Sequence, residues 1–134
     1  MNTLPDIYVT DRDFSRLQAL VGQSEHPLAI SLEEELTRAK RLQQSSIPPD
    51  IVTMNSQLIY RDLDSGKELA VSLVYPHEED ISQSKISILS PVGIALLGLK
   101  EGAQIDWPLA NGRTKRIELL KVQYQPEAEG QYSL

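Results

Sequence analysis

Apolar and polar positions along the 134-residue chain follow helical spacing in some stretches and strict alternation in others, and the two meet between Ile86 and Leu99. Ile86 and Ile88 alternate with Ser87 as in a strand, after which Val92, Ala95, Leu96 and Leu99 recur at helical spacing. Ser90 and Pro91 supply an N-cap and a proline at the first helical position, and Gly98 and Gly102 return the chain to extended structure. Ile94 and Leu97 fill much of the remaining circumference, so this short helix is predicted to lie inside the concave face of a sheet or against a partner.

Toward the amino end the spacing is helical twice. After a brief β-favouring lead-in at Ile7, Tyr8 and Val9, Thr10 caps a helix with Asp13 three residues on. Phe14, Leu17, Leu20 and Val21 form its apolar stripe and Gly22 stops it. Gln23, Ser24, Glu25, His26 and Pro27 make a link of the length that joins antiparallel helices. Leu28, Leu32, Leu36, Ala39 and Leu42 then predict a second helix from Leu28 to Gln44, roughly 25 Å long at 1.5 Å per residue. Its seam is narrow enough to pack on one neighbour, as in a short antiparallel coiled coil. Glu33, Glu34 and Glu35 are successive and fan over about 200° of the helix, which reads as a solvated face, with Glu34 placed to pair with Arg38. Pro48-Pro49 forms a stiff joint, dividing a helical hairpin at 1–49 from a β-rich domain at 50–134.

In the second part the run from Ile51 to Leu63 is rich in β-formers. Asp64-Ser65-Gly66 signals a turn, and Leu69, Val71, Leu73 and Tyr75 alternate after it. An acidic loop follows at Pro76-His77-Glu78-Glu79-Asp80. Beyond Gly102, Ile105, Trp107 and Leu109 share a strand face, and Asn111-Gly112 suits a type I′ turn. In the last strand, from Arg113 to Tyr124, Ile117 and Leu119 give way to Leu120, Val122 and Tyr124, a phase shift that predicts a bulge near Leu119. The tail from Gln125 to Leu134 has few apolar residues and reads as loosely ordered. The fold class is therefore α+β, with a short antiparallel helical hairpin followed by an antiparallel sheet wrapped on one short helix.

Composition narrows the chemistry. There is no cysteine, so disulfides and thiol chemistry are excluded, and with His26 and His77 the only histidines a metal site is not expected. The net charge of −6 is evenly shared, with eight acids and five bases in residues 1–50 against eleven and eight in the remainder. Arg113, Lys115 and Arg116 are the one local basic group and read as a solvated face, so direct nucleic-acid binding is not expected. The amino end lacks a charged region followed by an apolar one, and no apolar run approaches about 18 residues. A soluble, cytoplasmic protein without membrane association is expected. A search for catalytic groups finds no glycine-rich phosphate loop and no serine with a convincing base. His77 beside Glu78 and Glu79 reads as a surface histidine, and no catalytic residue, metal or cofactor is assigned.

One helix on a curved antiparallel sheet also suggests the prolyl isomerases of the FK506-binding-protein (FKBP) type. Those enzymes ring their pocket with aromatic side chains. Here Phe14 lies in the helical hairpin, leaving Trp107 and a few tyrosines.

The order Ser90-Pro91-Val92-Gly93-x-Ala95-Leu96-Leu97-Gly98, with Gly102 and the Asn111-Gly112 hairpin, resembles the C-terminal domain of the bacterial GreA/GreB transcript-cleavage factors. Over the whole chain the likeness extends to a branch of that family, the Rnk-type regulators of nucleoside diphosphate kinase. It is carried by Asp50-Ile51-Val52-Thr53-Met54-Asn55-Ser56, Leu73-Val74-Tyr75-Pro76, the Pro91 to Leu99 block and Tyr124-Gln125-Pro126-Glu127-Ala128. The resemblance implies an FKBP-like domain that docks on RNA polymerase near the secondary channel, with the hairpin in front of it. In Gre factors the hairpin is a long coiled coil whose acidic tip holds the catalytic magnesium during RNA cleavage. The matching tip here, Gln23, Ser24, Glu25 and His26, carries one carboxylate, whereas holding a hard cation calls for at least a pair of oxygen ligands. The turn that contributes to polymerase binding in Gre factors matches Ser90 and Pro91, and the residue before them, usually acidic in the family, is Leu89. The resemblance thus implies polymerase binding without stimulated cleavage.

Overall fold

Thr10 does what its sequence position predicts. Its side chain accepts the Asp13 amide and opens α1 (Asp11–Gln23), directly after the short strand β1 (Tyr8–Thr10). The computed structural model of the protein describes residues 5–108 and 111–133. A second helix, α2 (Ala29–Arg38), follows the link and packs on α1, burying Leu32 and Leu36.

α2 ends at Arg38, well before the predicted Gln44. Ala39 turns to extended backbone, and Lys40–Leu42 forms β2, pairing in parallel with β1 from Tyr8↔Lys40 to Thr10↔Leu42. The helical period of Ala39 and Leu42 is overridden because the Lys40 amide finds the Ile7 carbonyl at 2.9 Å, a long-range partner that no local pattern announces. At 1.5 Å per residue the ten residues of α2 span about 15 Å. The three-glutamate reading is also corrected in part. Glu33 and Glu34 are exposed, but Glu35 is 4% exposed and takes Arg38 in a two-point pair at 2.7 and 2.8 Å, in place of the expected Glu34 pairing. The same guanidinium reaches the Pro5 carbonyl, which fixes its direction and makes Glu35 the carboxylate it meets.

The remaining strands form one five-stranded sheet in the order β5-β4-β3-β7-β6. β3 (Gln57–Asp62) and β4 (Glu68–Val74) make the predicted hairpin, and β7 (Thr114–Tyr124) pairs antiparallel with both β3 and β6 (Gln104–Pro108). β5 (Lys85–Ser87) runs parallel to β4, so the sheet is mixed rather than purely antiparallel. Two short 3-10 turns, Pro76–Glu78 and Ile81–Gln83, carry the chain over the end of β4 to reach that parallel edge. Leu120 is skipped between the Ile59↔Lys121 and Tyr60↔Leu119 pairs, which is the bulge expected near Leu119. The strand-face position assigned to Leu109 lies outside the described residues, as does part of the turn expected at Asn111-Gly112.

The short helix α3 (Pro91–Leu96) carries Ile94, Ala95 and Leu96 into the core, together with Leu97 and Leu99 beyond its end. One cluster of buried side chains joins them to Leu58 and Leu73 of the sheet and to Leu17, Leu32 and Leu36 of the helical pair. Gly98, at a φ of +78°, lets β1 approach the exit of α3. A Cβ there would lie 2.8 Å from that of Ile7 and 3.0 Å from the Tyr8 backbone, whose amide donates to the Gly98 carbonyl.

The tail is better ordered than its composition suggests. Gln125, Pro126 and Glu127 are buried, and a 3-10 turn at Glu127–Glu129 is closed by Gly130. Arg12 of α1 reaches the Ser133 carbonyl and Gln44 the Tyr132 carbonyl, so the tail straps the helical pair to the sheet. Leu134 lies outside the described residues.

Candidate docking site

The turn into α3 is built by serine hydroxyls. The Ser87 hydroxyl accepts the Leu89 amide at 3.0 Å, while Ser90 donates to the Ser87 carbonyl at 2.6 Å and accepts the Gly93 amide at 3.0 Å. Gly93 is required where it stands, because a Cβ would collide with the Ser87 carbonyl oxygen. With both hydroxyl functions of Ser90 engaged, its effect is to hold Pro91 at the first turn of α3 in a fixed pose.

Pro91 and Val92 form one wall of an apolar groove of about 360 Å³, near the lower end of the usual range for binding pockets. Ile86 of β5 and the Tyr60 ring of β3 continue the lining, and Ile81, from the second 3-10 turn, stands on the lip with 73% of its surface exposed. Glu79 and Lys115 are the charged residues at this groove. The Lys115 ammonium is held by the Asp62 carboxylate. That contact raises the pKa of Lys115 and is the main cause lowering that of Asp62. Burial raises the Tyr60 phenol above its ordinary value, so the ring enters the groove as a neutral surface.

The expected site residues take three different positions. Ser90 and Pro91 are half-buried and line the groove, whereas Leu89 is only 9% exposed and belongs to the core. Gln23, Ser24, Glu25 and His26 join α1 to α2 and do not line the groove. Within that link, Ser24 accepts the His26 amide and His26 Nδ1 accepts the Leu28 amide, so the imidazole is engaged in closing the turn. His77 is exposed, stacks on Tyr75 with ring centres 6.4 Å apart, and lies 3.9 Å from Glu78. Ile81 and Glu79 were not singled out from sequence as docking residues. The available signal was one large aliphatic side chain inside an otherwise polar loop.

Among the described residues no group of three or more His, Asp or Glu is placed to hold a metal ion, and no helix is long and apolar enough to cross a membrane. Trp107 is buried in the core and does not line the groove, so Tyr60 is the aromatic ring there.

Two family models match the chain. Residues 47–124 match the C-terminal domain of the transcription elongation factors GreA/GreB, and residues 5–42 match the Rnk N-terminus. The chain belongs to the GreA/GreB family. It is 40% identical over 133 residues to the regulator of nucleoside diphosphate kinase of Escherichia coli (strain K12), covering 97% of this chain and 98% of that protein. Transcription elongation factor GreA of Orientia tsutsugamushi (strain Boryong) is 38% identical over 93 residues, 69% of this chain and 58% of the GreA length. Among solved structures, a prokaryotic transcription elongation factor GreA/GreB from Nitrosomonas europaea superimposes with a TM-score of 0.72 at 42% identity, covering 90% of this chain and 99% of that one. The observed α+β fold, a helical amino-terminal pair with a mixed sheet, is therefore a GreA/GreB-like fold.

Proposed function

We propose that the chain is a non-enzymatic transcription regulator that docks on RNA polymerase near the secondary channel through the turn at Ser90 and Pro91, with Leu89 behind them in the core. In this reading residues 50–134 form an FKBP-like docking unit and residues 1–49 a short helical arm, acting in the cytoplasm where the polymerase works. The observation that carries it is the apolar groove beside Pro91, on the part of the chain that matches GreA/GreB. An open apolar groove walled by a proline whose surrounding turn is fixed by three hydrogen bonds is the kind of feature that a protein partner uses.

The arm supports docking without cleavage. α2 spans about 15 Å, and the link at Gln23–His26 offers Glu25 as its carboxylate, too little reach and too few ligands to hold a catalytic cation at a distance. A protein that occupies the dock without acting there competes with cleavage factors. An effect on nucleoside diphosphate kinase, which the name of the E. coli relative describes, then follows through transcription of that enzyme. The prolyl isomerase reading is disfavoured by a groove with one aromatic ring.

The deciding experiment is a competition titration on purified core polymerase. The chain is expected to displace a Gre factor and to leave backtracked RNA uncut, with Pro91→Asn losing displacement while keeping its thermal transition. Stimulated cleavage, or no displacement at any concentration, overturns the proposal, as does proline-isomerase turnover abolished by Trp107→Ala.

A further inference from the structure

Two carboxylates from opposite ends of the chain are buried against successive residues of one short segment. Asp13 of α1 is 2% exposed and accepts the Met54 amide at 3.1 Å, while Glu127 of the tail is 8% exposed and accepts the Thr53 hydroxyl at 2.7 Å. The neighbouring hydroxyls fix which way the protons point. The Thr53 amide donates to Ser56 Oγ at 2.9 Å and the Thr53 hydroxyl to Glu127, so the Ser56 hydroxyl turns to Thr53 Oγ1 at 3.0 Å. This relay ends on Glu127 as an acceptor. A proton that relieves the pair is then better placed on Asp13, which desolvation and the Glu127 charge push up to about 7.

The charged and titratable groups around Asp13 come from three elements. They are Arg16 and Arg12 of its own helix, Glu127 of the tail, and Tyr75 with Glu78 where β4 ends. Arg16 favours the ionised form but also lies over the Tyr75 ring, 4.4 Å from its centre, and Arg12 reaches the Ser133 carbonyl. The Tyr75 hydroxyl is buried without a partner among the described residues, so it does not serve the Asp13 carboxylate. His77, stacked on Tyr75, is the histidine bordering the cluster.

Of the elements that meet here, the tail has least to hold it. Its turn is closed by its own backbone, Gly130 to the Glu127 carbonyl at 3.1 Å and Gln131 to that of Pro126 at 2.8 Å, and residues 128–133 are exposed. Few apolar contacts oppose its lifting.

We infer that the tail is a proton-held strap: a proton on Asp13, facing Glu127, keeps residues 125–133 closed over α1, and its loss as pH rises lets the tail lift while the rest of the fold stays intact. Because the tail ties Arg12 of α1 to the end of β7, its release loosens the helical pair on the sheet. The device does not depend on what occupies the groove.

Amide exchange of the intact chain, followed by NMR and expressed as protection factors, tests it. The closed tail holds a proton that the lifted tail releases, so protection of the Gly130 and Gln131 amides is expected to fall about tenfold per pH unit between roughly pH 5 and 7 and to level off above. Both amides are expected to be at least tenfold less protected than that of Ile88, which donates to the Val74 carbonyl in the core. Asp13→Asn is expected to flatten the pH dependence. Glu127→Gln, which keeps an acceptor for Thr53, is expected to hold the tail more firmly than the wild type at pH 8. Tail amides as protected as Ile88 overturn the proposal, since the tail would then leave only with global unfolding. So does protection that does not change with pH. A slope that persists in Asp13→Asn also overturns it, and its loss in His77→Gln would assign the proton to that imidazole instead.

Discussion

Around α3 and at the base of the helical pair the chain is equally well buried, but by opposite means. α3 is covered by Ile94, Ala95, Leu96 and Leu97 packed against the sheet, and its few polar contacts are local, within Ser87–Gly93. At the base of the helical pair the buried groups are polar, and their contacts cross the sequence. The Met54 amide donates to Asp13 at 3.1 Å, the Thr53 hydroxyl to Glu127 at 2.7 Å, and the Gln125 side-chain amide to the carbonyls of Pro48 and Ile51, both at 2.8 Å. One region is held by area, the other by buried hydrogen bonds, with Gln125 Oε1 left without a partner among the described residues. Apolar contacts survive imperfect geometry, whereas buried hydrogen bonds fail when one partner is lost.

Truncating the apolar region sets the upper end of the comparison. Leu96→Ala is expected to cost about 2–5 kcal/mol in urea unfolding, because the fully buried site cannot collapse onto the cavity. A loss well under that range would mean that α3 is looser than its burial implies. In the polar region, Glu127→Ala removes the charged acceptor of the Thr53 hydroxyl, leaves it the Ser56 hydroxyl alone, and releases the tail, costing about 1–3 kcal/mol. Its distinguishing mark is faster hydrogen exchange in α1, which the tail straps through Arg12 and Ser133, and which Leu96→Ala should not single out.

pH separates the two regions further. Asp13 is pushed up to about 7, chiefly by desolvation and further by the Glu127 charge, against the Met54 amide, Arg16 and Thr10, which pull it down. The folded protein then holds the Asp13 proton more tightly than the unfolded chain does. Its contribution is fully present below about pH 4 and is lost as pH rises through about 7. Unfolding free energy is expected to decline between those limits, and Asp13→Asn should remove that slope while leaving the Leu96→Ala deficit unchanged in size. A wild-type slope that persists in Asp13→Asn assigns the proton to another group.

The smallest effect belongs to the local cap. Ser90→Ala is expected to cost about 1 kcal/mol, and Ser90→Thr to restore most of it. A much larger loss would show that the Ser87–Ser90 turn supports more of the core than α3 alone.

Elements whose information is local were legible. Thr10 and Ser90 name their own helix starts, the alternation from Leu69 to Tyr75 names a strand, and the lost phase after Leu119 names a bulge, because caps and side-chain periods act within a few residues. The helix predicted through Gln44 ends at Arg38 for the complementary reason. Ala39, Lys40 and Arg41 suit a helix well, and pairing with Tyr8–Thr10, more than thirty residues away, outweighed that preference. The tail read as loose because Glu127 looks like a surface residue until Thr53 is brought to it. In the groove, Ser90 and Pro91 could be placed from sequence, while Glu79 and Ile81 could not, since the parallel return of β5 is what carries their loop to the mouth.

What the residues determined unaided is the set of pieces and their apolar faces, including a buried helix opened by Ser90 and Pro91. Tertiary structure decided the end of α2, the burial of Asp13 and Glu127, and the placing of Glu79 beside Pro91 at the groove. Each of these depends on the free energy of bringing distant backbone and carboxylate groups together, which is gained or lost only once the chain has closed on itself.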